Sequence, residues 1–169
     1  MTIAPAPDRR GPINHLVILR PPYLDLILSG DKTVESRLSR RRHPAATRCL
    51  PGDVLYLKRT GGDIEVRATV AQIDVFADLD LAALRHLTEQ WSRQVAATTP
   101  DDWYQRIKHD ARHALFLTLR RVERFHIPRQ SLPRRLPWAS AWIAGQPVPD
   151  LVRHFEPPQC EESTDADDR

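Results

Sequence analysis

The sequence predicts an α+β domain: a small, partly open β-barrel of about five mostly antiparallel strands with flanking helices. Three observations lead there. Apolar or alternating runs of strand length recur between His15 and Phe125. Gly-containing turns separate some of them, at Pro51-Gly52-Asp53 and Gly61-Gly62-Asp63. Apolar residues at helical spacing occur only between these runs, as in Leu24, Ile27 and Leu28.

Each element follows from local chemistry. His15 to Arg20 is a continuous apolar run, read as a buried strand that Pro21 and Pro22 end. Proline fits a first helical turn, so Pro22 to Ser29 reads as a short helix, with Gly30 as its stop. Thr33 to Leu38 alternates, with Val34 and Leu38 on one face and Thr33, Glu35 and Arg37 on the other. Arg40 to Arg48 is basic, interrupted by Pro44, and reads as a loop. Val54 to Lys58 and Ile64 to Phe76 form a hairpin whose second strand is long enough to bend or carry a bulge. Asp78 or Asp80 caps a helix with the stripe Leu81, Leu84, Leu87, Trp91 and Val95. Thr99-Pro100-Asp101-Asp102 starts another helix running to about His109, and Ala114 to Phe125 is the last clear strand. Prolines then recur, leaving only a short turn around Trp138 to Trp142.

The expected organisation is a flexible arm (1–13), one domain (14–126), a proline-rich wrapping segment (127–155) and an acidic disordered tail (156–169). No apolar run approaches the roughly 20 residues that span a bilayer, and the N-terminus lacks the apolar stretch of a signal peptide. Cys49 and Cys160 lie far apart and form no disulfide or zinc pattern, so a cytoplasmic protein without cofactor or metal is expected. The net charge of +3 hides an asymmetry. From Glu156 onward six acids and Arg169 sum to −5, leaving +8 for the rest of the chain. A basic body with an acidic tail fits a polyanion partner, although arginine-rich surfaces also arise without one.

Charge is most concentrated where helix gives way to strand, at Gly30-Asp31-Lys32-Thr33-Val34-Glu35-Ser36-Arg37. Lys32 can meet a phosphate or base carbonyl as a point charge. Alternatively it sits at the negative end of the helix, a surface effect below about 1 kcal/mol; on the binding reading, Lys32→Ala is expected to weaken binding without lowering the melting temperature. Glu35 and Arg37 share a strand face and can orient one another. The carboxylate can accept from a base amino group, or the two can form an ordinary surface pair worth about 0.2–1 kcal/mol. Arg20 and Tyr23 flank the proline corner, and Tyr23 either stacks on a base or simply packs. Arg40, Arg41, Arg42 and Arg48 either contact an RNA backbone or form a solvated loop. Glu89 is a more distant second carboxylate. His109 and His113 stand four apart without a third ligand, which argues against zinc. Trp138 and Trp142 read as indoles buried against the barrel rather than as caps over a base.

The strand, the short helix ending in Gly-x-Lys-x-x-Glu-x-Arg (Gly30, Lys32, Glu35, Arg37), the Gly52-Asp53 turn and the strand Val54 to Tyr56 resemble the ASCH domain, a branch of the PUA-like superfamily. The resemblance covers roughly His15 to Phe125. It implies a PUA-like barrel with a cleft beside the first helix for RNA, nucleotides or modified bases. Lys32, Thr33, Glu35, Ser36 and Arg37, with Arg20 and Tyr23, would line that cleft. Some ASCH proteins are amidohydrolases of N4-acetylated cytidine, in which a threonine three positions after the motif lysine is the nucleophile. Glu35 stands there in this chain. Glutamate serves as base or acceptor, while Thr33 and Ser36 supply nearby hydroxyls. The expected function is binding of RNA or a modified nucleobase. The alternative is a small hydrolase, an amidohydrolase or ribonuclease, with Lys32 and Glu35 as catalytic groups and Glu89 as a more remote one.

Overall fold

The computed structural model describes residues 11–43, 45–97, 109–132 and 142–144. Six strands form one mixed sheet: β1 (Asn14–Leu19), β2 (Val34–Ser39), β3 (Val54–Arg59), β4 (Ile64–Phe76), β5 (His113–Ile127) and β6 (Trp142–Ala144). Their order across the sheet is β2-β5-β4-β3-β1-β6. All pairings are antiparallel except β1 with β3. The helices are α1 (Tyr23–Ser29), α2 (Ala45–Arg48) and α3 (Leu81–Trp91). The sheet curls into a half-barrel, so the partly open α+β barrel is present with six strands rather than five. The sixth is β6, which pairs with β1 where only a turn is expected around Trp142. Three residues carry too little periodicity to announce a strand.

Both faces of the sheet are covered where β2 meets β5. On the concave side Leu115, Leu117 and Leu119 of β5 pack with Leu55 and Leu57 of β3, Val66, Ala68 and Val70 of β4, and Leu24 and Ile27 of α1. On the convex side Val34 and Leu38 of β2 and Phe116 of β5 meet Leu84 and Leu87 of α3. This two-sided burial is why β5 opens as an unbroken apolar run, Ala114 to Leu117. Each fully buried leucine contributes about 1.5–3 kcal/mol of transfer free energy.

Asp80 caps α3, its side chain accepting from the Ala83 N–H at 2.7 Å. The expected α3 stripe needs one correction. Leu84 and Leu87 are buried, as is Val95 in the turn that follows the end of α3 at Trp91, but Leu81 is 56% exposed. The Arg40 to Arg48 loop contains the short helix α2; Ala45 at its start and Cys49 directly after it are buried in the concave core. The helix expected from Thr99 lies largely outside the described residues, as do Trp138, the acidic tail and most of the N-terminal arm. Among the described residues no helix is long and apolar enough to cross a membrane.

β2 and β6 are opposite edges of the sheet, yet the curl brings them together. The Arg37 guanidinium lies 5.8 Å from the centre of the Trp142 ring, and its Nη2 donates to the Ile18 carbonyl of β1 at 3.4 Å. The open seam of the barrel is therefore bridged by side chains, and the charged motif stands in that seam.

Candidate functional site at the barrel seam

The motif begins with a helix stop. Gly30 takes φ +84°, the left-handed conformation that ends α1, and its N–H returns to the Ile27 carbonyl at 3.2 Å. The Lys32 N–H then bonds the Leu26 carbonyl at 2.8 Å. Thr33 and Val34 both donate to the Gln94 carbonyl, at 2.9 and 3.0 Å, just beyond α3. These bonds send the Lys32 side chain inward rather than along the surface.

Lys32 and Glu35 are 3% and 4% exposed, so neither is a surface group at a helix end. Lys32 Nζ donates to the Val34 carbonyl at 2.7 Å and the Val95 carbonyl at 3.3 Å, and stands 3.5 Å from Glu35 Oε2. It also lies 5.3 Å from the Tyr23 ring centre, a cation–π distance. Burial lowers the Lys32 pKa, and the neighbouring Glu35 carboxylate partly restores it. On the other side of Glu35, Oε1 lies 3.0 Å from Arg37 Nε. The Nε–H is not aimed at that oxygen, however, and Nε is a buried polar atom without a hydrogen bond. Arg37 is thus a charge neighbour of Glu35 with donors still to use.

The Gly52-Asp53 turn explains how the far wall is set. Gly52 has φ +94°, and Asp53 points inward. Its Oδ1 accepts from the Ile13 N–H at 2.9 Å, and its Oδ2 accepts from the Leu50 N–H at 2.7 Å and His15 Nε2 at 3.0 Å. His15 Nδ1 accepts from the Trp142 indole N–H at 3.2 Å, which leaves the imidazole proton on Nε2 for Asp53. A chain of buried bonds runs from Asp53 through His15 to Trp142, whose ring carries Arg37. The donor atoms of His15, Cys49 and Asp53 lie within 4.8 Å of one another. A metal on Nε2 would need its proton removed while Trp142 still aims a donor at Nδ1, so hydrogen bonding accounts for this trio better than ligation.

His43 completes the wall. Its ring meets Trp142 edge-on at 5.7 Å, and Nδ1 accepts from the Ala45 N–H at 3.1 Å. Its pKa is lowered to about 4, first by burial and then by Arg37, with Glu35 opposing. His43 therefore stands as a neutral imidazole with its proton on Nε2.

The other candidates are placed less centrally. Tyr23 is half-buried, while Arg20 and Thr33 are exposed. Ser36 falls on the same strand face as Val34 and Leu38, away from Glu35. Glu89 is exposed on α3. Arg40 is paired with Asp110, its Nε 2.6 Å from Oδ2, whereas Arg41, Arg42 and Arg48 are exposed. Sequence reasoning missed His43 and His15 as site residues. The only signal for His43 was an imidazole inside an arginine-rich loop, and for His15 its place opening an apolar strand.

Comparison with known proteins bears on the family and the fold. The ASCH domain family matches residues 17–158 of the chain. Comparison with curated proteins gives no significant match. Among solved structures, ASCH from Zymomonas mobilis superposes with a TM-score of 0.63 at 15% identity, covering 84% of this chain and 94% of that one. A tyrosine-to-phenylalanine mutant of that protein gives 0.61 at 16% identity, with 85% and 99% coverage. Its serine-to-alanine mutant gives 0.57 at 18%, with 85% and 96% coverage. At such identities the likeness concerns the fold, and the family follows from the sequence match: the chain belongs to the ASCH domain family.

Proposed function

We propose that the seam between β2 and β6 binds RNA or a modified nucleobase. Lys32, Glu35 and Arg37 would supply the polar contacts, with Tyr23, His43 and Trp142 forming the walls. The observation that carries this reading is the buried Lys32–Glu35 pair beside an Arg37 whose Nε has no hydrogen bond. Burying charges is expensive, and a half-satisfied group among them is retained where something else completes it. Glu35 offers an acceptor for a base amino group, and Arg37 and the His43 Nε2–H offer donors for a carbonyl. Trp142 is 4% exposed and holds the wall rather than stacking on a base. Tyr23 keeps the stacking role. Arg41, Arg42 and Arg48, exposed and without an ion pair among the described residues, would meet a phosphate backbone.

The test is titration of the full chain with a single-stranded RNA oligomer, cytidine monophosphate and N4-acetylcytidine, with Arg37→Met as control. Binding that drops at least tenfold in the variant, measured well below its melting temperature so that the chain stays folded, supports the seam. Equal affinity for wild type and variant removes it.

The hydrolase reading draws on a specific observation: Lys32 and Glu35 stand 3.5 Å apart, and burial makes Lys32 hold its proton less firmly than usual, against the opposing pull of Glu35. Thr33, on the parity of Glu35, is the nearer hydroxyl candidate. Chromatography of the same incubations decides between them, since deacylated cytidine or cut RNA would mean turnover.

A further inference from the structure

Resting on the reading of the seam as a binding site, we infer that Ala96 is a positioning residue for Lys32. Its left-handed backbone stops the helical path of α3, so that the last carbonyls of that path hold the ammonium and leave one of its N–H groups for a ligand. Ala96 belongs to neither strand of the seam and acts on the ligand only through Lys32.

The helical path runs on past Trp91. Ser92 keeps right-handed helical backbone, and the Val95 N–H returns to the Trp91 carbonyl at 3.0 Å. Ala96 then takes φ +55°, in the region where glycine is the ordinary occupant and alanine is strained. Its N–H bonds the Arg93 carbonyl at 3.1 Å, and the Ala97 N–H bonds the Ser92 carbonyl at 2.9 Å. The last carbonyls of a helix have no partner within it. This closure satisfies those of Ser92 and Arg93, leaving Gln94 and Val95. With right-handed backbone at Ala96 the helix would continue, and its next turn would claim both remaining carbonyls.

Instead both turn to the charged motif. Gln94 accepts from the Thr33 and Val34 N–H groups at 2.9 and 3.0 Å, and Val95 accepts from Lys32 Nζ at 3.3 Å. The ammonium therefore sits at the negative end of this second helical path. Of its three N–H groups one goes to Val95 and another to the Val34 carbonyl at 2.7 Å. The third faces Glu35 Oε2 at 3.5 Å, a long contact that a ligand oxygen beside the carboxylate would improve on. The charged or titratable groups around Nζ are Glu35 and Arg37 of β2 and Tyr23 of α1, whereas the turn after α3 contributes a carbonyl.

The test follows the Lys32 side chain of the full chain by carbon NMR titration, alongside affinity for cytidine monophosphate. Assignment is simple, because the only other lysines are Lys58 and Lys108. Ala96→Gly keeps the left-handed turn and should match wild type in both readouts, with a melting temperature at least as high. Ala96→Val puts a branched Cβ where φ is positive. Ala97→Pro undoes the same closure by another route, removing the N–H that bonds Ser92 and pushing Ala96 toward extended backbone. Each should lower the Lys32 midpoint by about half a unit or more, since the ammonium loses an acceptor. Each should also weaken cytidine monophosphate about tenfold, the equivalent of one hydrogen bond to a charged group. All are measured well below their melting temperatures, and if one variant does not fold the other decides. A turn that merely secures α3 would lower the melting temperature and leave the Lys32 midpoint of the folded chain at its wild-type value, which overturns the positioning role. Failure of the seam looks different: wild type would not bind cytidine monophosphate, while the midpoint would still move in both variants.

Discussion

Arg37 and Trp142 belong to opposite edges of the sheet, yet the guanidinium lies 5.8 Å from the indole centre. That contact helps close a barrel that backbone bonding leaves open, and a cation over an indole contributes about 0.5–2 kcal/mol. Arg37 also acts on His43, depressing its pKa. Replacing Arg37 with methionine should thus raise the His43 titration midpoint from about 4 toward 6.5 without reaching it, because burial is the larger cause. Proton NMR of the imidazole checks this, and an unmoved midpoint would separate the two residues.

Lys32 is expected to matter for stability, contrary to what a surface lysine at a helix end would do. Its ammonium satisfies two carbonyls and neighbours a buried carboxylate. Lys32→Met leaves Glu35 with Arg37 as its remaining cation and should cost about 3 kcal/mol. The double variant Lys32→Met/Glu35→Gln should recover part of that loss. Denaturant unfolding of the three proteins gives the values, and an additive double variant would show that the charges do not communicate.

The Lys32 shift also carries a sign. Its folded pKa lies below the ordinary 10.5, so the unfolded chain binds the proton more tightly. As pH rises toward 10.5 the folded protein releases this proton first, and stability should rise through that window relative to Lys32→Met. A parallel pH dependence in wild type and variant would contradict the burial argument.

His43 works at the acid end. With a folded pKa of about 4 against an ordinary 6.5, protonation favours the unfolded chain, so stability should fall as pH drops from 6.5 to 4. The partly exposed ring reduces the effect to roughly 1–2 kcal/mol. His43→Gln should flatten this part of the stability curve, read by thermal melts across the range.

Much of this was legible in the sequence because it depends on local rules. Gly30 ends α1 as its permissive backbone allows, Asp80 caps α3, and the Gly-x-Lys-x-x-Glu-x-Arg spacing puts Glu35 and Arg37 on one strand face. What escaped depends on distant parts of the chain meeting. Nothing near Lys32 reveals that Val95 will supply its acceptor, sixty-three residues on. Alternation in β2 gives its two faces but not that both are covered, so a buried ion pair looks like a surface one. Trp142 becomes part of the seam only because a three-residue strand docks on β1. The exposure of Leu81 shows the converse, a helical stripe longer than the surface available to cover it.

Asp53 supplies the last prediction, because it links the turn of the family signature to the seam. Its carboxylate accepts from two backbone N–H groups and from His15, and is itself 1% exposed. Asp53→Asn keeps the shape but makes one acceptor oxygen into a donor, turning it against at least one of these N–H groups. The expected loss is about 2–4 kcal/mol, with hydrogen bonds to a charged acceptor at the upper end. The more specific consequence reaches further: with His15 free to turn, the Trp142 indole loses its acceptor and the Arg37 platform loosens. Ligand affinity should then fall together with a change in indole fluorescence, although Asp53 touches neither Arg37 nor the proposed ligand. Loss of stability with unchanged affinity and fluorescence would confine Asp53 to holding the turn.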